Sequence, residues 1–359
     1  MAHAVAPSRV PVAVAIPARD EEDHIGACLD AIGCQTIRPD MVTVLLNNCT
    51  DSTGQRIRGM KLDIPCNVVD VELSAESGGA GVARRLAMER AARCIGCSGV
   101  LMTTDADAIV PPDWIERNIM AINAGADAVC GRAVLSDSDA AAIPKTLRVD
   151  DELEQRLLAL ADQMAWLIDP DPIDPLPRHT EASGASIAVS VAAWRRAGGI
   201  PSIRTGEDRA FIAALRRIDA AIRHDPSIEV VVSGRTFGRA DGGMADTIRR
   251  RMIVQDEFAD DCVEPPDDSL RRQLLRARFR SAWQIGQVDP LLVKELDITP
   301  NLLQGCLRRR YFGAAWEAVS SRGRLAERRR VRFAELPTAI TRAEHLVAEL
   351  MPPEILAAD

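Results

Sequence analysis

Long apolar runs are missing from the 359-residue chain, and so is an excess of positive charge. No stretch approaches the roughly 18 apolar residues that a membrane-spanning helix needs. The apolar start "VPVAVAIPA" is followed at once by acidic residues and by no convincing cleavage site, so we expect no signal peptide and a cytoplasmic protein. The net charge of −8 argues against nucleic-acid binding, because a phosphate backbone requires a basic field.

Cysteine is present, but not in a pattern that predicts disulfides or a zinc site. The nine cysteines are an odd number and are scattered among predicted strands and helices. The one close pair, Cys94 and Cys97, has no second pair at zinc-finger spacing and lacks the flanking residues of a redox motif. We interpret the pair as small buried thiols near the end of a helix.

The first hundred residues alternate between two kinds of apolar pattern. Continuous β-branched runs predict strands, and apolar residues at helical spacing predict the helices between them. Such alternation is typical of a mostly parallel sheet with helices on its faces, in which ligands collect at the carboxyl ends of the strands. The predicted strands are "VPVAVAIPA", "MVTVLLNN", "CNVVDVEL" and "GVLMTTD", and the predicted helices are "EEDHIGACLDAIGCQ" and "GGAGVARRLAMERAARCIG".

Two aspartates, Asp105 and Asp107, follow the fourth predicted strand in "GVLMTTDADAIVPPDW". Carboxylates this close repel each other, which raises a pKa unless a cation or hydrogen-bond donors compensate. Mg²⁺ or Mn²⁺ is the natural partner, because hard cations prefer carboxylate oxygens and Mg²⁺ often bridges to a substrate phosphate. The alternative is an acidic turn in which one aspartate caps the helix that begins near "PPDWIERNI".

Four segments in order resemble the family-2 glycosyltransferases of the GT-A fold: "IPARDEEDHIGACLDAI", "LLNNCTDST", "TTDAD" and "TGEDRAF". The resemblance covers roughly residues 10 to 245. It implies an α/β catalytic domain of GT-A type over residues 1–245, with a mostly parallel nucleotide-binding sheet flanked by helices. The remainder, 246–359, is then a mainly helical C-terminal extension.

The resemblance also implies the activity: a metal-dependent, inverting hexosyltransferase that moves a sugar from a nucleotide-diphosphate sugar to an acceptor hydroxyl. Mn²⁺ or Mg²⁺ bound by Asp105 and Asp107 is the implied cofactor. Two alternatives stay open, a nucleotidyltransferase and a catalytically silent protein that binds nucleotide sugars. The donor sugar, its base and the acceptor, whether a small molecule or lipid-linked, do not follow from the sequence.

The donor side is implied by the loops after the first two strands. The first loop matches the family segment that lies against the nucleoside, with Asp20 where asparagine is common, and its acids also suit a helix start. In the second loop two asparagines stand where relatives often have an aspartate that reads the base, and an Asx turn is compatible. The implied nucleotide-sugar-binding residues are Pro17, Ala18, Arg19, Glu21, Asn47, Asn48, Arg84 and Asp105.

The acceptor side is implied by the segment "RHTEASGASIAVSVAAWRRAGGIPSIRTGEDRAF". Asp208 matches the family's general base, which takes the proton of the attacking hydroxyl, and Glu207 supports the acceptor site. The alternative for both is a charged first turn of a helix. Residues implied on the acceptor or phosphate side are Gly184, Ala185, Ser186, Arg235 and Arg239, with a basic surface turn as the alternative for the two arginines.

The C-terminal region changes character after residue 246. Helical periodicity recurs in "DDSLRRQLLRARFRSAWQIG", "NLLQGCLRRRYFGAAWEAVSS" and "ELPTAITRAEHLVAELM". Its arginine-rich faces are compatible with an anionic acceptor, a peripheral membrane contact or a homodimer interface. A solvated helix face is the commoner explanation of such a pattern.

Overall fold

The structure, a computed structural model, describes residues 9–74, 78–235, 244–254 and 256–351, without the side chains of 244–248. Seven strands of this part of the chain form one sheet. They are β1 Val12–Ala18, β2 Met41–Asn47, β3 Cys66–Val71, β4 Val100–Thr103, β5 Ala128–Leu135, β6 Ile187–Ser190 and β7 Ile222–Val232. Their order across the sheet is β3-β2-β1-β4-β6-β5-β7.

The described residues also form fourteen α-helices. They are α1 Ile25–Gly33, α2 Thr53–Gly59, α3 Ala80–Ile95, α4 Trp114–Asn123, α5 Asp137–Ala142, α6 Lys145–Ile168, α7 Val191–Arg196, α8 Glu207–Arg217, α9 Met244–Ile253, α10 Pro266–Ile285, α11 Pro290–Leu296, α12 Pro300–Leu307, α13 Phe312–Ser320 and α14 Leu336–Leu350. Single 3₁₀ turns occur at Gly323–Leu325 and Phe333–Glu335.

The predicted fold class is confirmed. Strands β3, β2, β1 and β4 are parallel to one another, and β5 is parallel to β7. Strand β6 is the exception, because it runs antiparallel to both β4 and β5. This reversal has a consequence for function: the residues before β6 arrive at the edge where β1, β2 and β4 end.

Small residues explain how closely the longest sheet-covering helix approaches the strands. Helix α3 buries Ala83, Ala87 and Ala91, which pack with Ala13 and Leu101 of the sheet in one apolar cluster. Alanine side chains allow a short distance between the helix and the sheet, and larger side chains such as Phe211 and Met88 fill the rest of this cluster. The same helix carries Arg84 to the functional edge.

The chain divides into two compact units. The first comprises Met1–Ala140, Glu181–Leu215 and Ala220–Thr247, and contains the sheet. The second is helical and comprises Ala141–Thr180, Arg216–Asp219 and Ile248–Asp359.

The sequence boundary at 245/246 therefore differs from the grouping in space, since Ala141–Thr180 packs with the C-terminal residues. The physical reason is the apolar face of α6. Leu157, Leu160 and Met164 on this face pack against Leu336 and Ile340 of α14. A contiguous division of the chain at 245 remains a proposal about its domains.

Two further observations concern the sequence expectations. None of the described helices is both long enough and apolar enough to cross a lipid bilayer. The interpretation of Cys94 and Cys97 as buried thiols is wrong, because both side chains are exposed. Cys94 lies in the last turn of α3 and Cys97 follows Gly96 in a turn, where the chain has already left the packed face of the helix.

Candidate functional site

The candidate site is built on one edge of the sheet. Ala18 pairs with Leu46, and Ala15 pairs with Thr103, so β1, β2 and β4 end side by side. The loops that follow them carry polar residues in each case. Parallel strands therefore bring together residues that are far apart in the chain, as the sequence pattern predicts.

Arg84 is the central side chain of this edge and is only 5% exposed. Its Nε donates to Glu207 Oε1 at 2.9 Å, and its Nη2 donates to Asp105 Oδ1 at 2.5 Å. Its Nη1 donates to Thr103 Oγ1 and to the Gly184 carbonyl oxygen, each at 2.9 Å. One guanidinium group thus joins the end of β4, the loop before β6 and the start of α8.

Two glycines make the close approach to Arg84 and Glu207 possible. A Cβ atom on Gly184 would lie 2.4 Å from Arg84 Nη2, so only glycine leaves room for the guanidinium. A Cβ atom on Gly81 would lie 2.3 Å from the Ile203 carbonyl oxygen and 2.9 Å from the Glu207 Cβ. At both positions a side chain larger than that of glycine would collide with the residues around the ion pair of Arg84 and Glu207.

A second arginine compensates the remaining carboxylates. Arg235, which follows β7, contacts both oxygens of Glu21 at 2.6 and 2.5 Å. Its Nη2 also lies 3.1 Å from Asp107 Oδ2. Asp105 and Asp107 are thus each paired with a different arginine, although only two positions separate them in the sequence.

The two arginines do not fully neutralise the site. Burial raises the pKa of Asp107 to about 6, and the nearby charge of Asp105 adds to the rise while Arg235 opposes it. Burial lowers the pKa of Arg84, but Asp105 and Glu207 outweigh burial and hold it above its ordinary value. Asp107 therefore binds a proton more readily than an exposed aspartate does, chiefly because it is buried.

Helix α8 begins with Glu207 and Asp208, the second of which is the predicted general base. Glu207 is buried and is held by Arg84, whereas Asp208 is half-buried. Asp208 Oδ2 accepts a hydrogen bond from the Gly184 backbone N–H at 3.2 Å, and Oδ1 accepts from the Arg209 N–H at 2.7 Å. The two neighbouring carboxylates consequently differ: one is locked in an ion pair, and the other is bonded only by backbone amides among its described contacts.

The two asparagines at the end of β2 and just after it, Asn47 and Asn48, also have different environments. The Asn48 amide is engaged at both ends by the Leu73 backbone, donating to its carbonyl oxygen at 3.1 Å and accepting from its N–H at 2.9 Å. Asn47 is buried, and its side-chain oxygen has no hydrogen-bond partner in the described chain. The two neighbouring amides therefore differ in how they are bonded: the Asn48 amide is held by the Leu73 backbone, and the Asn47 oxygen is not held by any described residue.

The remaining predicted residues occupy less connected positions. Pro17 and Ala18 belong to the end of β1, and Arg19 is exposed just beyond it. Ala185 and Ser186 are buried, and Trp114 Nε1 donates to Ser186 Oγ at 2.9 Å, so Ser186 supports the wall of the site. Arg239 lies outside the described residues.

Sequence reasoning missed two features of this edge. Thr103 Oγ1 accepts from Arg84 and donates to the Ala15 carbonyl oxygen at 2.9 Å. Its signal was a hydroxyl residue at the last position of a buried strand. The second feature is a cluster of Asp20, Cys49 and Asp51, whose potential ligand atoms lie within 4.8 Å of one another. Its signal was the position of these residues in loops after two adjacent parallel strands.

The chemistry of Asp105 and Asp107 fits a divalent cation. Both offer carboxylate oxygens at the edge of the sheet where β1, β2 and β4 end, and the Asp105 side chain is 34% exposed. Hard oxygen ligands of this kind suit Mg²⁺ or Mn²⁺. The Asp20 cluster supplies a thiol as well as carboxylates, so it is a chemically different candidate.

Comparison with known proteins agrees with this arrangement at the level of the family. The sequence profile of glycosyl transferase family 2 matches residues 13–193, slightly more than half of the chain. No curated protein sequence matches the chain.

Several solved structures are similar at low sequence identity. S. aureus TarS 1–349 in complex with UDP is 15% identical, covers 87% of this chain and 91% of its own, and has a TM-score of 0.44. The mannosyltransferase PcManGT from Pyrobaculum calidifontis, in complex with GDP-Man and Mn²⁺, is 17% identical with coverages of 97% and 83% and a TM-score of 0.44. Glucosyl-3-phosphoglycerate synthase from Mycobacterium tuberculosis, in complex with Mn²⁺, UDP and phosphoglyceric acid, is 16% identical with coverages of 70% and 82% and a TM-score of 0.41.

Proposed function

The chain is a glycosyltransferase that belongs to glycosyl transferase family 2, and from this premise we propose a metal-dependent, inverting transfer. In this proposal a hexose moves from a nucleotide-diphosphate sugar to an acceptor hydroxyl. One observation carries the proposal: the buried Arg84 binds both Asp105 and Glu207, the neighbour of Asp208. The carboxylates assigned to the donor and to the acceptor therefore belong to one bonded site.

The donor side of the proposal consists of Asp105, Asp107 and the residues around them. Mn²⁺ or Mg²⁺ held by these two carboxylates would neutralise the charge that develops on the departing diphosphate. Asn47, at the end of β2, would contribute an amide oxygen that can accept a hydrogen bond from an N–H group of the base. Arg235, close to Asp107, supplies further positive charge toward the diphosphate.

The acceptor side of the proposal depends on Asp208. The acceptor oxygen bonds to the anomeric carbon while the bond from that carbon to the diphosphate breaks, and the diphosphate leaves with the electron pair. The hydroxyl proton passes to the Asp208 carboxylate, which is half-buried and held by the Gly184 N–H. A single displacement of this kind inverts the anomeric centre.

Glu207 is a positioning residue in this scheme. Its ion pair with Arg84 at 2.9 Å fixes the first turn of α8, from which Asp208 extends. Because Glu207 is buried and paired, it is not available to accept the proton itself.

The first test is a calorimetric titration of the full chain with UDP-, GDP-, ADP- and dTDP-sugars, each with and without Mn²⁺. We expect one donor to bind tightly only when the metal is present. Asp107→Asn should weaken this metal-dependent binding by about tenfold or more, because it removes a charged ligand from a partly buried site. Asp113→Asn, at the half-buried pair with Arg117, is the matched control and should bind like the unmodified chain.

A second variant distinguishes the two possible metal positions. Asp51→Asn changes the cluster of Asp20, Cys49 and Asp51 and leaves Asp105 and Asp107 intact. If donor binding loses its Mn²⁺ dependence in Asp51→Asn but not in Asp107→Asn, the metal binds at the cluster of Asp20, Cys49 and Asp51 instead. Unchanged metal-dependent binding in Asp105→Ala combined with Asp107→Ala would show that the metal assignment is wrong.

A further inference from the structure

The helical unit contains two arginines that share one carboxylate. Arg276 and Arg280 lie one turn apart on α10 and both approach Asp169, the residue that follows α6. Arg276 Nη1 and Arg280 Nε donate to the same oxygen, Asp169 Oδ2, at 2.7 and 3.0 Å. Like charges at this helical spacing repel each other, so the arrangement has a cost that Asp169 offsets only in part.

An aromatic ring fixes both guanidinium groups. The guanidinium carbon of Arg280 lies 3.9 Å from the centroid of the Phe312 ring, and that of Arg276 lies 5.3 Å from it. Phe312 itself is buried and packs against Phe279. A guanidinium that rests on a ring keeps its edge N–H groups free for a ligand, and it loses less entropy when it binds one.

Most donors of the two groups have no partner in the described chain. Each guanidinium carries about five N–H donors, and among the described residues one nitrogen of each donates a hydrogen bond, in both cases to Asp169. The side chains are each 32% exposed, so solvent reaches part of each.

The surrounding charge is positive. Burial lowers the pKa of Arg276, the like charge of Arg280 lowers it further, and Arg216 and Arg178 contribute in the same direction while Asp169 opposes them. Arg178 already has its own carboxylate in Asp162, at 2.7 Å. An anion at this place would therefore relieve repulsion among groups that the protein already holds in position.

We propose that Arg276, Arg280 and the Phe312 ring form a binding site for the phosphate group of a small phosphorylated molecule. The planar fork of a guanidinium matches two oxygens of a phosphate, and two forks on one ring present such donors side by side. The site belongs entirely to the helical unit and does not rest on the proposed transfer reaction.

The test is a titration of the full chain with inorganic phosphate at constant ionic strength, with chloride as the compensating anion. We expect saturable binding that Arg276→Gln and Arg280→Gln each weaken by about tenfold or more. Arg271→Gln is the matched control, because residue 271 lies about half a turn away around the same helix from residue 280 and is exposed. Phosphate bound at the sheet edge would be unaffected by all three substitutions.

Three results would overturn the proposal: no saturable binding by the unmodified chain, equal weakening in Arg271→Gln, or no weakening in the other two variants. If a glutamine variant does not fold, arginine modification of the unmodified chain replaces it. Phosphate should then protect Arg276 and Arg280 from phenylglyoxal by several-fold relative to Arg271. Equal modification with and without phosphate would contradict the site.

A separate arm distinguishes a small molecule from a lipid headgroup. Glycerol phosphate in solution should compete with inorganic phosphate for Arg276 and Arg280. Sedimentation with phosphatidylglycerol vesicles, in a chain that binds neither soluble phosphate compound, would overturn the proposal and indicate a membrane contact instead.

Discussion

Each unit of the molecule contains a buried arginine with several hydrogen bonds, and the two arginines differ in what surrounds them. Arg84 of the sheet unit is 5% exposed and Arg272 of the helical unit is 8% exposed. Arg272 donates to both oxygens of Glu264, at 2.9 to 3.1 Å, and to the Leu325 carbonyl oxygen at 3.1 Å. By burial and bonding alone the two are equivalent.

The difference lies in the partners. Glu264 is 7% exposed and lies eight positions before Arg272, so that pair is closed and local. Arg84 joins Glu207, 123 positions away, to Asp105, whose side chain is 34% exposed. Buried ion pairs have a large desolvation cost, so a pair with one partner open to solvent is a better indicator of a functional site than burial itself.

The largest effect on activity is expected at Asp208, the carboxylate next to Glu207 that Arg84 does not bind. Asp208→Asn should lower the rate of sugar transfer by about 10²–10⁴-fold, because the amide cannot accept the proton of the acceptor hydroxyl. Donor binding should remain, and this separates catalysis from binding in a combined rate and calorimetric measurement. Asp63→Asn, at an exposed loop position, is the control. Full transfer activity in Asp208→Asn would place the base elsewhere.

The two arginines can be compared directly by Arg84→Met and Arg272→Met. Both should lower the free energy of unfolding by about 3–5 kcal/mol, because each leaves a buried carboxylate without its partner. Chemical denaturation measures this loss.

The rate of sugar transfer is expected to differ between the same two variants. Under conditions where both remain folded, Arg84→Met should lose roughly a hundredfold in transfer rate, since misplacement of reacting groups has costs of that size. Arg272→Met should keep its rate. Equal loss of activity in both would contradict the distinction between an open and a closed pair.

The smallest effects concern two glycines, one in each unit. Gly184→Ala should lower the free energy of unfolding by about 1–3 kcal/mol, since the new methyl group would displace the Arg84 guanidinium. Gly305→Ala in α12 meets nothing within 4 Å and should instead raise it by about 0.5–1 kcal/mol. Thermal unfolding of both variants tests the opposite signs, and a stabilising Gly184→Ala would show that Arg84 is not tightly held.

Much of the sheet edge was predictable from the sequence because it depends on chain order. Parallel strands end at a common edge, so Asp105 after β4 and Asn47 at the end of β2 had to lie at the same edge of the sheet. The family resemblance then assigned roles to them.

The side-chain partners were not predictable in the same way. The pair of Arg235 with Glu21 spans 214 positions, and no local pattern indicates which carboxylate a guanidinium will reach. The grouping of α6 with the C-terminal helices has the same origin. Periodicity identifies an apolar face, but not the surface against which that face packs.

The position of Arg84 has a thermodynamic consequence for the order in which substrates bind. Its guanidinium forms ion pairs with both Asp105 and Glu207. A ligand that breaks the ion pair with Asp105 therefore changes the strength of the ion pair with Glu207. Coupling free energies are reciprocal. If the donor changes the affinity for the acceptor through Arg84, the acceptor must change the affinity for the donor by the same factor. Under the proposed assignments, cooperativity between donor and acceptor is thus expected from a single side chain.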